Sequence, residues 1–226
     1  MHIITIAAQK GGVGKTTLAV NLAVTAEYAG IRTAIADLDS QESATAWHER
    51  RLANEHRLPN AVDGDMPHVE PLSARRLPAW LTAARAAGFG LAILDTPPAA
   101  SNEAAEAVRL SDLVLIPCRP SLIDLDAIRR TAHLIATAAK QAFVVLNTAP
   151  VSARALLEDA SELAGAAGLA CAPVVVRERS AFRHAWPHGL AVGEFEPGGK
   201  AMQEIAALHN FTLATMQTIT PSTIQP

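Results

Sequence analysis

An α/β fold, one domain with a mostly parallel twisted sheet and helices on both faces, follows from three features of the sequence. Short apolar runs alternate with longer Ala-rich stretches of helical length. The runs are apolar almost throughout, as strands covered by helices on both faces must be. A Gly-rich turn joins the first run to the first helical stretch, the junction at which open parallel sheets bind ligands.

Taken in order, the expected strands are His2–Ala7, Thr33–Ala36, Leu91–Leu94, Leu113–Pro117, Ala142–Leu146 and Pro173–Val176. Between them fall helices expected near Thr16–Ala29, Arg75–Ala87, Ile123–Ala139, Ala153–Ala167 and Lys200–Met216. Gly30 and Gly88 follow two of these helices, where a residue free to turn left-handed ends a helix well. Residues 52–76 hold Pro59, Pro67 and Pro71 and read as a surface excursion with one short edge strand around His68–Pro71. The polar segment 218–226 ends in proline and is expected to fray, leaving 1–217 as the single domain.

Composition narrows the function. Of 226 residues 50% are apolar and 18% charged, which supports a buried core. Only 4% are aromatic, so that core is built mainly from Ala, Val, Leu and Ile. The net charge is −3, so nucleic-acid binding would have to be local. Cys118 and Cys171 stand far apart without metal-ligand spacing, against a disulfide framework, a zinc ribbon or a cluster held within one chain. The first residues, Met-His-Ile-Ile-Thr-Ile, lack the charged start and long apolar run expected of a signal peptide, and no apolar run nears the roughly 20 residues that span a bilayer. A cytoplasmic, soluble protein without a membrane anchor is expected.

The strongest motif is Gln9-Lys10-Gly11-Gly12-Val13-Gly14-Lys15-Thr16-Thr17. It fits the phosphate-loop pattern GxxxxGK[ST] with Gln9 in place of the leading glycine. Its three glycines let successive backbone N–H groups turn toward an anion, and the helix that begins near Thr16 adds its positive dipole end. Lys15 would place its charge on the β- and γ-phosphates, and Thr16 would offer a hydroxyl to Mg²⁺. Two of the four lysines in the chain lie in this loop. A P-loop NTPase fold and a nucleoside triphosphate site follow.

Two acidic segments complete the arrangement. Asp37-Leu38-Asp39-Ser40-Gln41 follows the second strand, where both carboxylates can lie near the phosphates. Leu91-Ala92-Ile93-Leu94-Asp95 is an apolar strand ending in aspartate, the Walker B arrangement that delivers a carboxylate to the Mg²⁺ hydration shell. Thr96–Ala99 would then form a switch loop. No arginine finger is identifiable, which suits an enzyme whose turnover a partner completes.

Lys10 extends the loop to KGGVGKT, which resembles the deviant Walker A motif of the ParA/MinD family of P-loop ATPases. The resemblance implies that Lys10 reaches the nucleotide of a partner subunit, so that ATP binding and homodimerisation become one event. Segment 37–41 resembles the family's DxDPQ switch, with Ser40 in place of proline. By that resemblance Asp39 orients the attacking water and a metal-bound water, and Asp37 supports it. Pro117–Asp126 resembles the family's P-x-x-P-S-x-x-D-L stretch, and Asn147 stands where the family sets an asparagine against adenine. Gly11, Gly12, Val13, Gly14, Thr17 and Asn147 are thus expected nucleotide contacts, and Thr16, Asp39 and Asp95 metal contacts.

Residues Arg179–Gly189, Pro197 and the last helix resemble the family's C-terminal third. The likeness is nearest to the short partition ATPases without an N-terminal helix-turn-helix domain, since the phosphate loop begins at residue 9. It implies an ATP- and Mg²⁺-dependent ATPase that dimerises on ATP, binds DNA non-specifically and is then nucleoid-associated. A ParB-like or other adaptor protein would trigger hydrolysis and so segregate a cargo, a plasmid in the first instance. DNA contact is expected from Arg177, Arg179 and Arg183, with Arg154 and Lys200 as additions, although Glu178, Glu194 and Glu196 could pair with them. The alternative is a MinD-like or other ParA-like ATPase that positions a protein or membrane cargo without DNA. Against the membrane form, no Lys or Arg follows Lys200.

Overall fold

The computed structural model describes residues 1–54, 67–98, 101–150 and 154–219, and for 122–127, 154 and 155 the backbone alone. Seven strands, β1 (His2–Ile6), β2 (Thr33–Asp37), β3 (His68–Pro71), β4 (Leu91–Asp95), β5 (Leu113–Cys118), β6 (Gln141–Ala149) and β7 (Ala170–Arg177), form one sheet. The order is β3-β2-β4-β1-β5-β6-β7 and every pairing is parallel. The expected edge strand at His68–Pro71 is present, while residues 55–66 of the excursion and 220–226 of the tail lie outside the described residues.

The helices are α1 (Lys15–Tyr28), α2 (Ser43–Ala53), α3 (Leu77–Ala86), α4 (Asn102–Leu110), α5 (Leu122–Ala138), α6 (Arg154–Ala166), α7 (Ser180–Ala185), α8 (Val192–Phe195) and α9 (Lys200–Gln217). Four of these, α2, α4, α7 and α8, go beyond the sequence expectation. Helix α4 starts on a Ser101 cap whose hydroxyl accepts the Ala104 N–H at 3.2 Å. Helix α2 buries only Ala44, Trp47 and Arg51, a stripe whose last member is a cation.

The alternation within β1 divides the core. Ile4 and Ile6 face one side with Leu18 and Leu22 of α1, Ile93 and Leu208 of α9. Ile3 faces the other side with Ala92, Leu94, Leu77 and Leu81. Burying both faces of a strand requires apolar residues on both, which β1 supplies at Ile3, Ile4 and Ile6, while the buried Thr5 hydroxyl donates to the Ala107 carbonyl at 3.0 Å. Strand β7 runs through Pro173, contrary to the shorter expected strand, because it lies at the sheet edge where a missing N–H is tolerated. No helix among the described residues is long and apolar enough to cross a membrane.

Candidate functional site

The site lies at the carboxyl edge of the central strands, where β1, β2 and β4 end side by side with Asp37 paired to Asp95 across the β2–β4 register. The phosphate loop leaves β1 and enters α1 at Lys15, with Gly14 as the residue before the helix. Gly12 and Gly14 have φ of 71° and 88°, left-handed values that turn the loop back on itself. At Gly14 the left-handed backbone, together with the Asn147 amide that a Cβ would meet, strongly favours glycine.

Lys15 is buried, and its Nζ donates to the Lys10 carbonyl at 3.4 Å, closing the loop. Burial pushes its ammonium below the ordinary lysine range, while the charges of Asp95 and Asp39 oppose that shift. The two carboxylates therefore share one electrostatic field with the loop lysine. Lys10 is half-buried at the opposite end of the loop.

Asp95 is fully buried at the end of β4, and among the described residues neither of its carboxylate oxygens makes a hydrogen bond of ordinary geometry, although the Thr16 hydroxyl stands close enough to favour the charged form. Burial raises its pKa to about 7, against the pull of nearby Thr16 and Lys15 and with further upward push from Asp37 and Asp39. A buried carboxylate with so little donor support is costly unless a cation completes it. Mg²⁺ commonly takes one or two carboxylates together with substrate phosphates, and Asp95, Asp39 and the Thr16 hydroxyl are the groups that fit that need here.

Asp37 has a different position from the one its neighbour suggests. Its Oδ2 accepts from the Thr45 N–H at 3.0 Å and the Thr45 hydroxyl at 3.1 Å, and its Oδ1 from the Asp39 N–H at 3.3 Å. Burial raises its pKa and these bonds resist the rise. The carboxylate is thus committed to the start of α2 and the backbone of Asp39, which makes Asp37 a positioning residue. Asp39 is half-exposed and accepts the Gln41 N–H at 3.0 Å. Beyond it a cavity of about 540 Å³ opens toward β3, lined in part by Ser40, Glu42, Pro71, Pro97 and Glu103.

On the β6 side, Asn147 is buried and donates its Nδ2 to the Val13 carbonyl at 2.7 Å. That bond uses one of the two amide N–H groups, so Asn147 keeps a second donor for a ligand. A second cavity of about 200 Å³ runs from Gly12, Gly14 and Thr17 past Asn147 to the β7–α7 turn. Arg177, Arg179 and Arg183 line that cavity, so three of the residues expected to contact DNA stand beside the phosphate loop. Arg179 is held by Glu204 of α9, with Glu196, one of the expected partners, adding a weaker charge contact, while Glu194 pairs with Arg51. Lys200 is exposed at the start of α9, and the side chain of Arg154 lies outside the described residues.

Sequence reasoning passed over Arg119. From the loop after β5 its Nη2 donates to the Gly12 carbonyl, bracing the phosphate loop from outside. Its signal was present in the proline-flanked segment 117–121, but only the fold brings that segment 107 residues back to Gly12.

A phosphate-gripping loop at the edge of a parallel sheet, flanked by carboxylates from two neighbouring strands, defines a P-loop nucleotide-binding protein. Residues 4–190 match the CobQ/CobB/MinD/ParA nucleotide binding domain, and the chain belongs to that family. It is 36% identical over 134 residues to the Maintenance of carboxysome distribution protein A of Gloeobacter kilaueensis, covering 58% of this chain and 56% of that protein. It is 32% identical over 154 residues to the Chromosome-partitioning ATPase Soj of Thermus thermophilus, covering 59% and 60%. The chain thus spans less than two thirds of the length of these relatives. Among solved structures, the cell division ATPase MinD of Pyrococcus furiosus superposes with a TM-score of 0.75 at 17% identity, over 95% of this chain and 99% of that one. At that identity the likeness is one of fold.

Proposed function

We propose that this chain is a Mg²⁺-dependent ATPase that dimerises on ATP, binds DNA non-specifically in that state and positions a cargo, a plasmid in the first instance. A ParB-like or other adaptor protein would stimulate hydrolysis and release the dimer. The observation that carries this reading is Lys15 and the buried carboxylate of Asp95 closing on one loop that also holds Lys10.

Phosphoryl transfer asks mainly for positioning and charge stabilisation. Lys15 and the loop N–H groups hold the phosphates, and Asp37 fixes the backbone from which Asp39 can orient the attacking water. Bound Mg²⁺ would neutralise charge on the β- and γ-oxygens, with Thr16, Asp39 and Asp95 as its protein contacts. Lys10, half-buried at the loop's other end, supplies the charge for a partner subunit's nucleotide. Exposed Arg183 and Lys200, with Arg154, are the basic residues proposed for DNA, where a few phosphate contacts per subunit become useful once two subunits join.

A second reading places a protein assembly, not a plasmid, as the cargo. Its support is the 36% identity to a protein named for carboxysome distribution.

Asp39→Ala tests the chemistry. It should accumulate an ATP-bound dimer, seen by light scattering after gel filtration, with hydrolysis reduced at least about tenfold. Normal turnover in that variant would remove Asp39 from the water-positioning role.

A further inference from the structure

The wall of the smaller cavity that faces Asn147 is the turn from Arg177 to Arg183, and one carboxylate outside the cavity sets where that turn stands. Glu204 of α9 accepts the Arg177 backbone N–H at 3.0 Å. It also takes the Arg179 guanidinium through Nε at 3.1 Å and Nη2 at 2.5 Å. Arg177 Nη1 is tied in turn to the Pro150 carbonyl at 2.7 Å. A two-pronged, charge-assisted contact of this kind fixes direction as well as distance, and here both side chains are largely covered, at 21% and 17% exposure.

The opposite wall is also held in an unusual shape. Thr148 has φ of 53°, a value that a β-branched residue adopts only under constraint. The β6–β7 pairing breaks register between Leu146 and Ala149, around this residue. Such strain persists only where surrounding contacts over-determine it, and it gathers at binding sites. Both walls of the cavity are therefore built, one by a register break and one by Glu204, and the cavity between them opens onto Gly12, Gly14 and Thr17.

We propose that Glu204 is a positioning residue for the nucleoside half of the site, acting through the Arg177–Arg179 turn it holds. This rests on the reading that the loop binds a nucleoside triphosphate. Glu204 itself does not line the cavity, so it acts through Arg177 and Arg179. Arg179, paired to a carboxylate, has little charge left to offer a DNA phosphate.

The test is calorimetric titration of the whole chain and of Glu204→Ala and Glu204→Gln with Mg²⁺ and ATP, ADP or inorganic tripolyphosphate. Glu204→Ala should weaken ATP and ADP alike by about tenfold or more, with tripolyphosphate within about twofold of wild type. Glu204→Gln, which keeps an acceptor but not the charge, should fall between. Unchanged ATP affinity in Glu204→Ala would overturn the assignment, as would an equal loss for tripolyphosphate, which marks general damage. A wild-type chain that binds tripolyphosphate but gains nothing from the nucleoside would also overturn it. Failure of the wild type to bind any of the three would instead bring down the phosphate-loop reading, and this one with it.

Discussion

Replacement of Glu194 by alanine tests whether α2, which follows the Asp39 loop, is locked to the C-terminal third by a buried ion pair. Arg51 and Glu194 are each about 1% exposed at the side chain. Arg51 Nη1 and Nη2 donate to the two carboxylate oxygens at 2.7 and 2.6 Å, and Nη1 also to the Gly189 carbonyl at 3.0 Å. Glu194 further accepts the Ala191 N–H at 2.8 Å and the Tyr28 hydroxyl at 3.3 Å. Glu194→Ala leaves the guanidinium buried over the Trp47 ring with, among the described residues, only the Gly189 carbonyl as acceptor. Breaking a buried pair from one side costs about 3–5 kcal/mol. At roughly 2–4 °C per kcal/mol for a chain of this size, the melting midpoint should fall by about 6–20 °C. Differential scanning calorimetry at pH 7 reads this directly. The double variant Arg51→Met/Glu194→Leu removes both charges and should melt well above Glu194→Ala, because no unpaired ion remains. A midpoint within about 2 °C of wild type for Glu194→Ala would refute the reasoning. So would a double variant as unstable as the sum of its singles.

Other outcomes follow from the site. Lys15→Ala should abolish nucleotide binding in a calorimetric titration, and unchanged ATP affinity would defeat the phosphate-loop assignment. Lys10→Ala should leave a monomer that still binds ADP; a stable ATP-dependent dimer in that variant would refute a role across the subunit interface. Asp95→Asn concerns pH. Burial raises the Asp95 pKa to about 7, above its ordinary 3.8, so the folded state holds this proton more tightly than the unfolded chain. The stability this group confers is present in full below about pH 4 and is lost as pH rises through about 7. Without Mg²⁺ or nucleotide, Asp95→Asn should therefore melt above wild type at pH 8, and the gap should close toward pH 4. A variant less stable than wild type at pH 8 would contradict the buried-carboxylate account.

What the sequence disclosed was local. The central strands and their alternation, the loop from Gln9 to Thr17, and an aspartate at the end of an apolar run each lie within a few residues, and the structure keeps them together. The edge strand His68–Pro71 was also visible, since its prolines punctuate an otherwise irregular stretch. Helix α2 escaped notice because the third member of its buried stripe is Arg51, and the carboxylate that makes that burial tolerable comes 143 residues later. Arg119 and Glu204 were hidden for the same reason. Each reads as an ordinary surface charge until the sheet order brings Arg119 onto Gly12 and α9 onto the end of β7. The arginine cluster divides: Arg177 and Arg179 are half-buried and Arg183 is exposed, and their closeness in sequence did not disclose that all three line a cavity beside the phosphate loop.

The most direct test of the proposed cycle is binding of the chain to arbitrary duplex DNA with ATP, with ADP and without nucleotide, at one moderate salt concentration, read by fluorescence anisotropy. The account predicts binding with ATP alone, weakening steeply as salt rises. Equal binding in all three states, or none in any state while ATP still drives dimerisation, would contradict it.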